Sequence, residues 1–235
     1  MYKELAKYYD LIYSWKNYEE EVERIKELIK EYKKSEGKRL LDVGCGTGKH
    51  LEYLKNDYSC VGMDLNDEMV AIAKQNIKEV KFMQADMIDF DLKSKFDIIL
   101  CMFSSIGYVK TYSNLIRTIA NFSNHLEQGG VIIIEPWFTK STYRVGYPGM
   151  TTYDGEDIKI ARLNTTKIEN ELSLMEMHYL IVEKNEDVKY FVDRHELGLF
   201  EVEKFLDIMT TAGLKAEFLK DGLMKERGLY IGIKT

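Results

Sequence analysis

Gly44, Gly46 and Gly48 follow an apolar run, Leu40-Leu41-Asp42-Val43. A second apolar run, Val61-Gly62-Met63, ends in an acid, Asp64, twenty residues past Gly44. Glycine has no Cβ, so these positions let the backbone come within contact distance of a ligand. A carboxylate at the end of the second run can accept two hydrogen bonds from a ribose diol. Together they describe a pocket for a nucleoside-containing cofactor. A dinucleotide site asks for G-x-G-x-x-G, but Lys49 occupies the place of the third glycine. The spacing is instead G-x-G-x-G, with Asp42 just ahead of it.

That arrangement resembles motif I of the class I S-adenosylmethionine methyltransferases. S-adenosylmethionine carries no phosphate, and its amino-acid end is zwitterionic. Asp42, acting through water, suits the ammonium, and helix-start amides near Gly48 suit the carboxylate. In an open α/β sheet, ligands bind at the carboxyl ends of the strands. Asp86 there can accept from the adenine amino group, and the Met87 amide can meet a ring nitrogen. Leu65, Met69 and Met102 can hold the ring between soft apolar surfaces.

Those residues need particular elements to position them. Val22, Ile25, Leu28 and Ile29 recur at helical spacing between Glu19 and Lys34. Strands are expected at Arg39–Val43, Ser59–Asp64, Val80–Gln84, Phe96–Phe103 and Val131–Glu135, the last entered through a Gly129-Gly130 turn. Helices are expected from about Thr47 to Lys55, from Asn66 to Ile77 and from Tyr112 to His125. Alternation of this kind indicates a doubly wound, mostly parallel sheet. After Pro136 the pattern changes. Ile158–Leu163, Leu172–Val182 and Val188–Glu196 alternate with no helix between them, which reads as an antiparallel β insertion over residues 140–200. A helix, Glu201–Ala212, and two strands, Lys215–Leu219 and Leu229–Ile233, complete the chain. The expected fold is α/β, a single 1–235 domain with a seven-stranded sheet, an N-terminal lid and helix over 1–36, and the insertion as a cap over the acceptor site.

Composition is that of an ordinary globular protein, with 45% hydrophobic and 31% charged residues over 235 positions. The net charge is −6, with no long Lys/Arg run, which argues against nucleic acid as the partner. No apolar run approaches a membrane span, and the first residues lack the apolar core of a signal peptide. The three cysteines, Cys45, Cys60 and Cys101, suit a reducing compartment, and the expected location is cytoplasmic. No metal-ligand spacing appears. Nucleic-acid adenine methyltransferases would show Asp/Asn-Pro-Pro-Tyr after the fourth strand. Met102-Phe103-Ser104-Ser105-Ile106-Gly107 stands there instead, so a small-molecule acceptor is expected.

This segment, with Glu135-Pro136-Trp137, Met177-His178-Tyr179-Leu180-Ile181-Val182, Leu199-Phe200 and Arg227-Gly228-Leu229-Tyr230, resembles the N,N-dimethyltransferases of antibiotic sugar biosynthesis. Those enzymes add two methyls to the amine of a dTDP-linked 3-amino-3,6-dideoxyhexose, releasing S-adenosylhomocysteine. The resemblance implies S-adenosylmethionine contacts from Tyr9, Gly44, Asp64, Asp86, Met87 and Met102, with Tyr18 joining them from the lid. It implies that Tyr2, Ser105 and residue 108 flank the acceptor amine. Trp137, Tyr147, Arg162 and Arg227 are candidates for the sugar nucleotide, because the planar guanidinium fork of arginine suits phosphate. His178 and His195 read first as structural histidines in strand patterns, with His178 kept as a substrate candidate. A homodimer is compatible with the family. One departure stands out: relatives carry His where this chain has Tyr108, and a phenol is a much weaker base near neutral pH.

Methyl transfer is an in-line displacement at a carbon already activated by a sulfonium, so positioning residues are expected with no essential acid–base pair. The rival readings are the same chemistry on an amino acid, simple amine or hydroxyl, a nicotinamide-dependent oxidoreductase, and a non-catalytic S-adenosylmethionine-binding module.

Overall fold

The computed structural model describes residues 5–224 and 226–235. Seven strands form one sheet: β1 (Arg39–Val43), β2 (Ser59–Asp64), β3 (Lys81–Gln84), β4 (Phe96–Cys101), β5 (Leu126–Ile134), β10 (Leu214–Leu219) and β11 (Leu229–Lys234). Their order is β10-β11-β5-β4-β1-β2-β3. The five strands from β5 to β3 run parallel, and β11 lies antiparallel to both β5 and β10. The first strand therefore lies inside the sheet, with β4 on one side and β2 on the other. That places its carboxyl end at the crevice where the strand order reverses.

Side chains alternate across the sheet, and both faces are covered. Leu40, Ile98, Val131 and Leu229 pack on one face against Val22, Ile25 and Leu28 of α2 (Tyr18–Tyr32). Leu41, Ile99, Ile132 and Tyr230 pack on the other against Leu115, Ile119 and Phe122 of α5 (Tyr112–Asn124) and Phe205 of α6 (Val202–Thr211). Burial on both faces is why these strands read as unbroken apolar runs. Helix starts follow side-chain caps. Asn17 accepts from the Glu20 amide at 3.2 Å and starts α2, and Thr111 accepts from the Asn114 amide at 3.2 Å and starts α5.

Four further strands make a separate antiparallel sheet in the order β6-β7-β8-β9: β6 (Gly149–Asp154), β7 (Ile158–Glu169), β8 (Leu172–Glu183) and β9 (Lys189–Gly198). One face carries Ile160, Met177, Tyr179 and Ile181, which pack against Leu5, Tyr8, Ile12 and Tyr13 around α1 (Tyr9–Ile12). The opposite face leaves Met150, Leu163, Leu180, Tyr190 and Val192 exposed.

Several expected boundaries move. Strand β4 stops at Cys101 rather than Phe103, because Phe103 and Ser104 take positive φ (50° and 64°) and turn the chain into a short 3-10 helix, Ser105–Val109. Strand β5 begins at Leu126, and Gly129-Gly130 is a register shift within it rather than a turn ahead of it. The insertion has a strand that the sequence pattern did not show, β6. Its residues alternate between half-buried and exposed, so no apolar period marks it.

Among the described residues, no helix is long and apolar enough to cross a membrane. Among them, too, no group of three or more His, Cys, Asp or Glu side chains could hold a metal ion.

Candidate active site

The glycine turn is pinned from beneath. The Gly44 and Cys45 amides both donate to the Met63 carbonyl, at 2.8 and 3.0 Å. Gly44, Gly46 and Gly48 have φ of +73°, +54° and +85°, a region open to glycine without steric cost. The Asp64 carboxylate ties the turn to β2: Oδ2 accepts from the Gly46 amide and Oδ1 from the Asn66 amide, each at 2.9 Å. Burial pushes the Asp64 carboxyl above its ordinary value, against the pull of the Asn66, Gly46 and Leu65 amides. Asn66 in turn accepts from the Glu68 and Met69 amides and caps α4 (Asp67–Asn76).

Asp42 sits on β1 just before the turn and is 1% exposed. Both of its carboxylate oxygens are buried without a hydrogen-bond partner among the described residues. Burial pushes its carboxyl up to about 6, with His50 pulling down and Asp64 pushing up.

A cavity of about 540 Å³ opens above the turn, within the range of small-molecule sites. Its walls bring together Tyr9, Tyr18, Gly44, Gly46, Asp64, Leu65, Met69, Asp86, Met87 and Met102. Asp86 is oriented by accepting the Ile88 amide at 2.9 Å. Asp42 and Gly48 do not line the cavity. The Gly48 amide donates to the Cys45 carbonyl at 2.9 Å, so the expected helix-start amide is already in use.

The cavity continues toward the inserted sheet, where Ser105, Tyr108, Trp137, Arg162 and Arg227 line it. Arg227 donates to Ser104 Oγ at 2.9 Å, and its guanidinium lies 4.7 Å from the Trp137 ring centroid and 5.2 Å from that of Phe138. Burial lowers the Arg227 pKa, against the nearby Glu135 carboxylate. Arg162 donates to Tyr13 Oη at 3.0 Å and Thr151 Oγ1 at 2.8 Å. The positive φ values at Phe103 and Ser104 are held in place by the two residues that follow β5. The Phe103 amide donates to Glu135 Oε2 and the Ser104 hydroxyl to the Pro136 carbonyl, both at 2.7 Å.

Three candidates do not join them. Tyr2 lies outside the described residues. Tyr147 stands exposed ahead of β6 and away from the cavity. His178 is on the outer face of β8, because Met177 and Tyr179 on either side point inward; it pairs with Tyr190 Oη at 2.6 Å and Glu176 Oε1 at 3.1 Å.

Other wall residues carry no site role in the sequence reading, and His195, read there as a structural histidine, is one of them. Tyr13 and Trp15 come from the N-terminal segment. His195 of β9, 1% exposed, has its Nδ1 2.5 Å from the Tyr108 hydroxyl and its Nε2 2.9 Å from Asp193 Oδ2. The Asp193-Arg194-His195 spacing was the available signal, since a period of two puts both side chains on one strand face.

S-adenosylmethionine fits these residues. Among the described residues, a Cβ built on Gly46 meets nothing within 4 Å beside the turn. A buried acid with unpartnered oxygens lies below that turn, and an oriented acid and thioethers surround the place of the base. The fold and the site are those of a class I S-adenosylmethionine-dependent methyltransferase. Residues 40–130 match a methyltransferase domain family. The chain is 34% identical over 231 residues to dTDP-3-amino-3,4,6-trideoxy-alpha-D-glucopyranose N,N-dimethyltransferase of Streptomyces venezuelae, covering 97% of each chain. The crystal structure of DesVI from Streptomyces venezuelae matches with a TM-score of 0.92 at 34% identity, covering 98% of both chains. The S-adenosylmethionine-bound CalS10, an amino pentose methyltransferase from Micromonospora echinaspora, matches with a TM-score of 0.84 at 28% identity, over 94% of this chain and 92% of that one. This chain belongs to the family of dTDP-amino-deoxysugar N,N-dimethyltransferases, and its cofactor is S-adenosylmethionine.

Proposed function

We propose that this enzyme methylates the amine of a dTDP-linked amino-deoxysugar. One observation carries the reading: a single cavity runs from the glycine turn to two cavity-lining arginines, Arg162 and Arg227, beneath an antiparallel cap. A nucleotide sugar asks for this arrangement, because guanidinium forks suit its diphosphate and its sugar must reach the methyl donor. A simple amine needs neither.

In this reading Asp64 holds the ribose and Asp86 and Met87 the base, between Leu65, Met69 and Met102. Asp42 acts on the ammonium end from beneath the turn. Bound S-adenosylmethionine supplies a methyl carbon on a positively charged sulfur. Ser105 and Tyr108 orient the acceptor nitrogen toward it, and Arg227, beside the Trp137 and Phe138 rings, holds the diphosphate. Alignment of this kind lowers a barrier by roughly 7–11 kcal/mol in well-oriented cases. Tyr9, Tyr13 and Tyr18 close the cavity and exclude water.

The test is turnover with S-adenosylmethionine and dTDP-3-amino-3,6-dideoxyglucose against a panel of simple amines and amino acids, read by mass. A gain of one or two methyl groups on the nucleotide sugar, with no reaction on simple amines, is expected. Methylation of simple amines at equal or better efficiency would overturn the sugar-nucleotide reading.

A further inference from the structure

The surroundings of Tyr108 give its phenol a chemical role. The residue sits on the short helix after β4, and Gly107 just before it has no side chain. A Cβ at Gly107 would lie 2.8 Å from Leu197 Cδ2 and 3.2 Å from Trp137 Cβ. The bare glycine therefore lets β9 press against this helix. That approach delivers Asp193 and His195, both on the inner face of β9, to the back of Tyr108.

The hydrogen-bond chemistry sets the direction of the chain. An ionised carboxylate only accepts. The His195–Asp193 bond at 2.9 Å therefore puts the imidazole proton on Nε2. The lone pair of Nδ1 then faces the Tyr108 hydroxyl, 2.5 Å away, and the phenol donates to it. The front of Tyr108 lines the cavity beside Ser105.

We propose that Tyr108, backed by His195 and Asp193, removes the proton from the acceptor ammonium before methyl transfer. This deepens the proposed function and rests on its claim that the acceptor is an amine, which enters mostly protonated near neutral pH. In the step, an ammonium N–H bond breaks and its electron pair stays on nitrogen. The proton passes to the Tyr108 oxygen as the phenolic proton moves to His195 Nδ1. The phenol is neutral again, and the imidazolium is held by the Asp193 carboxylate. The freed lone pair then forms the bond to the methyl carbon, and the carbon–sulfur pair returns to sulfur, leaving a thioether and a methylated ammonium. His195 gives its proton back through Tyr108 to solvent when the product leaves. An imidazole thus supplies the basicity that a phenol alone lacks.

Other charged and titratable groups border the relay. Tyr9 of α1 is within electrostatic reach of Tyr108 and also feels Asp64, Tyr13 and Tyr18. Tyr179 of β8 faces Asp193, with Arg162 of β7 and Tyr13 beside it. Lys110 and Glu196 pair at the outer end of the same two elements, 2.9 Å apart. These groups are common to the wild type and its variants, so a change in pH profile between them reports the relay.

The experiment compares wild type, Tyr108→Phe, His195→Asn and Asp193→Asn. Turnover of the dTDP-amino sugar is followed from pH 6 to 10, with S-adenosylhomocysteine affinity as a check on folding. Tyr108→Phe and His195→Asn are expected to lower kcat by about a hundredfold at neutral pH, the low end for acid–base catalysis. Asp193→Asn should lower it less. The deficit should shrink as pH rises and the free amine becomes abundant, and KM for the sugar should change little. A deficit equal at every pH, or wild-type kcat in Tyr108→Phe, would overturn the proposal. A second readout does not depend on activity. Ring nitrogen NMR of the four histidines in the cofactor-free protein should show His195 as the Nε2–H tautomer, with its Nδ1 signal moving in Tyr108→Phe. The opposite tautomer would overturn the relay. Failure of wild type to methylate any amino sugar, with that tautomer intact, would instead count against the substrate assignment.

Discussion

Asp64 Oδ2 accepts the Gly46 amide at 2.9 Å across the mouth of the glycine turn. The acid that reads in sequence as a ribose holder therefore also fixes the backbone on which the cofactor rests. Its second oxygen is engaged as well, by the Asn66 amide. Orientation of this carboxylate is set before any ligand arrives, which reduces the ordering cost of binding.

Asp64→Ala removes both bonds at once. The expected result is at least a tenfold rise in the dissociation constant of S-adenosylhomocysteine, about 1.4 kcal/mol. A fall in stability on the order of 1–3 kcal/mol should accompany it, from the two amides left unpaired. Calorimetric titration and urea unfolding measure the two effects separately.

The glycines of the turn should fail in different ways. A Cβ on Gly44 would lie 2.7 Å from Ser105 Cβ, so Gly44→Ala should destabilise the protein and displace Ser105. A Cβ on Gly46 meets nothing within 4 Å among the described residues. Gly46→Ala should therefore cost only the left-handed conformation, roughly 1–2 kcal/mol, yet weaken S-adenosylhomocysteine binding by tenfold or more because the methyl occupies ligand space. Thermal unfolding with and without ligand distinguishes them. Equal ligand affinity in Gly46→Ala and wild type would show that the cofactor does not lie against this turn.

Asp42 gives a pH dependence of known sign. Its folded-state pKa of about 6 lies above the ordinary 3.8 because burial disfavours the charge. A raised carboxyl favours folding while protonated. Its contribution is therefore fully present below about pH 4 and lost as pH rises through about 6. The shift corresponds to roughly 3 kcal/mol. Asp42→Asn should be more stable than wild type at pH 7 in the absence of ligand, with the gap closing toward pH 4, and should bind S-adenosylmethionine less tightly. Urea midpoints across that range check the sign.

The two halves of the site differ in how far sequence exposes them. The cofactor half is local to strand ends. Gly44, Asp64 and Asp86 each follow a short apolar run, so β1 and β2 were bounded correctly and the carboxyl ends could be placed. The acceptor half is assembled across the chain. Tyr108 meets His195, and Arg227 meets Ser104, only because the inserted sheet and the last strands fold back over β4. Nothing near Tyr108 in sequence announces an imidazole. His178, read first as structural and kept as a substrate candidate, falls outside the cavity for a related reason. One strand position decides whether a side chain faces the cavity or solvent, and the apolar pattern of β8 is too even to choose.

Arg227 and Arg144 make a matched pair for the diphosphate assignment. Arg227 is half-buried beside Trp137 and Phe138 and lines the cavity, whereas Arg144 is exposed in an ion pair with Glu226 at 3.1 Å. Surface ion pairs contribute about 0–1 kcal/mol, so Arg144→Ala should leave turnover and stability nearly unchanged. Arg227→Lys keeps the charge but loses the guanidinium contact with the Trp137 and Phe138 rings and the fork that meets phosphate oxygens in pairs. It should raise KM for the dTDP-amino sugar by tenfold or more while leaving S-adenosylhomocysteine affinity within twofold of wild type. A KM unchanged in Arg227→Lys would move the diphosphate elsewhere in the cavity, with Arg162 as the remaining cavity-lining arginine to test.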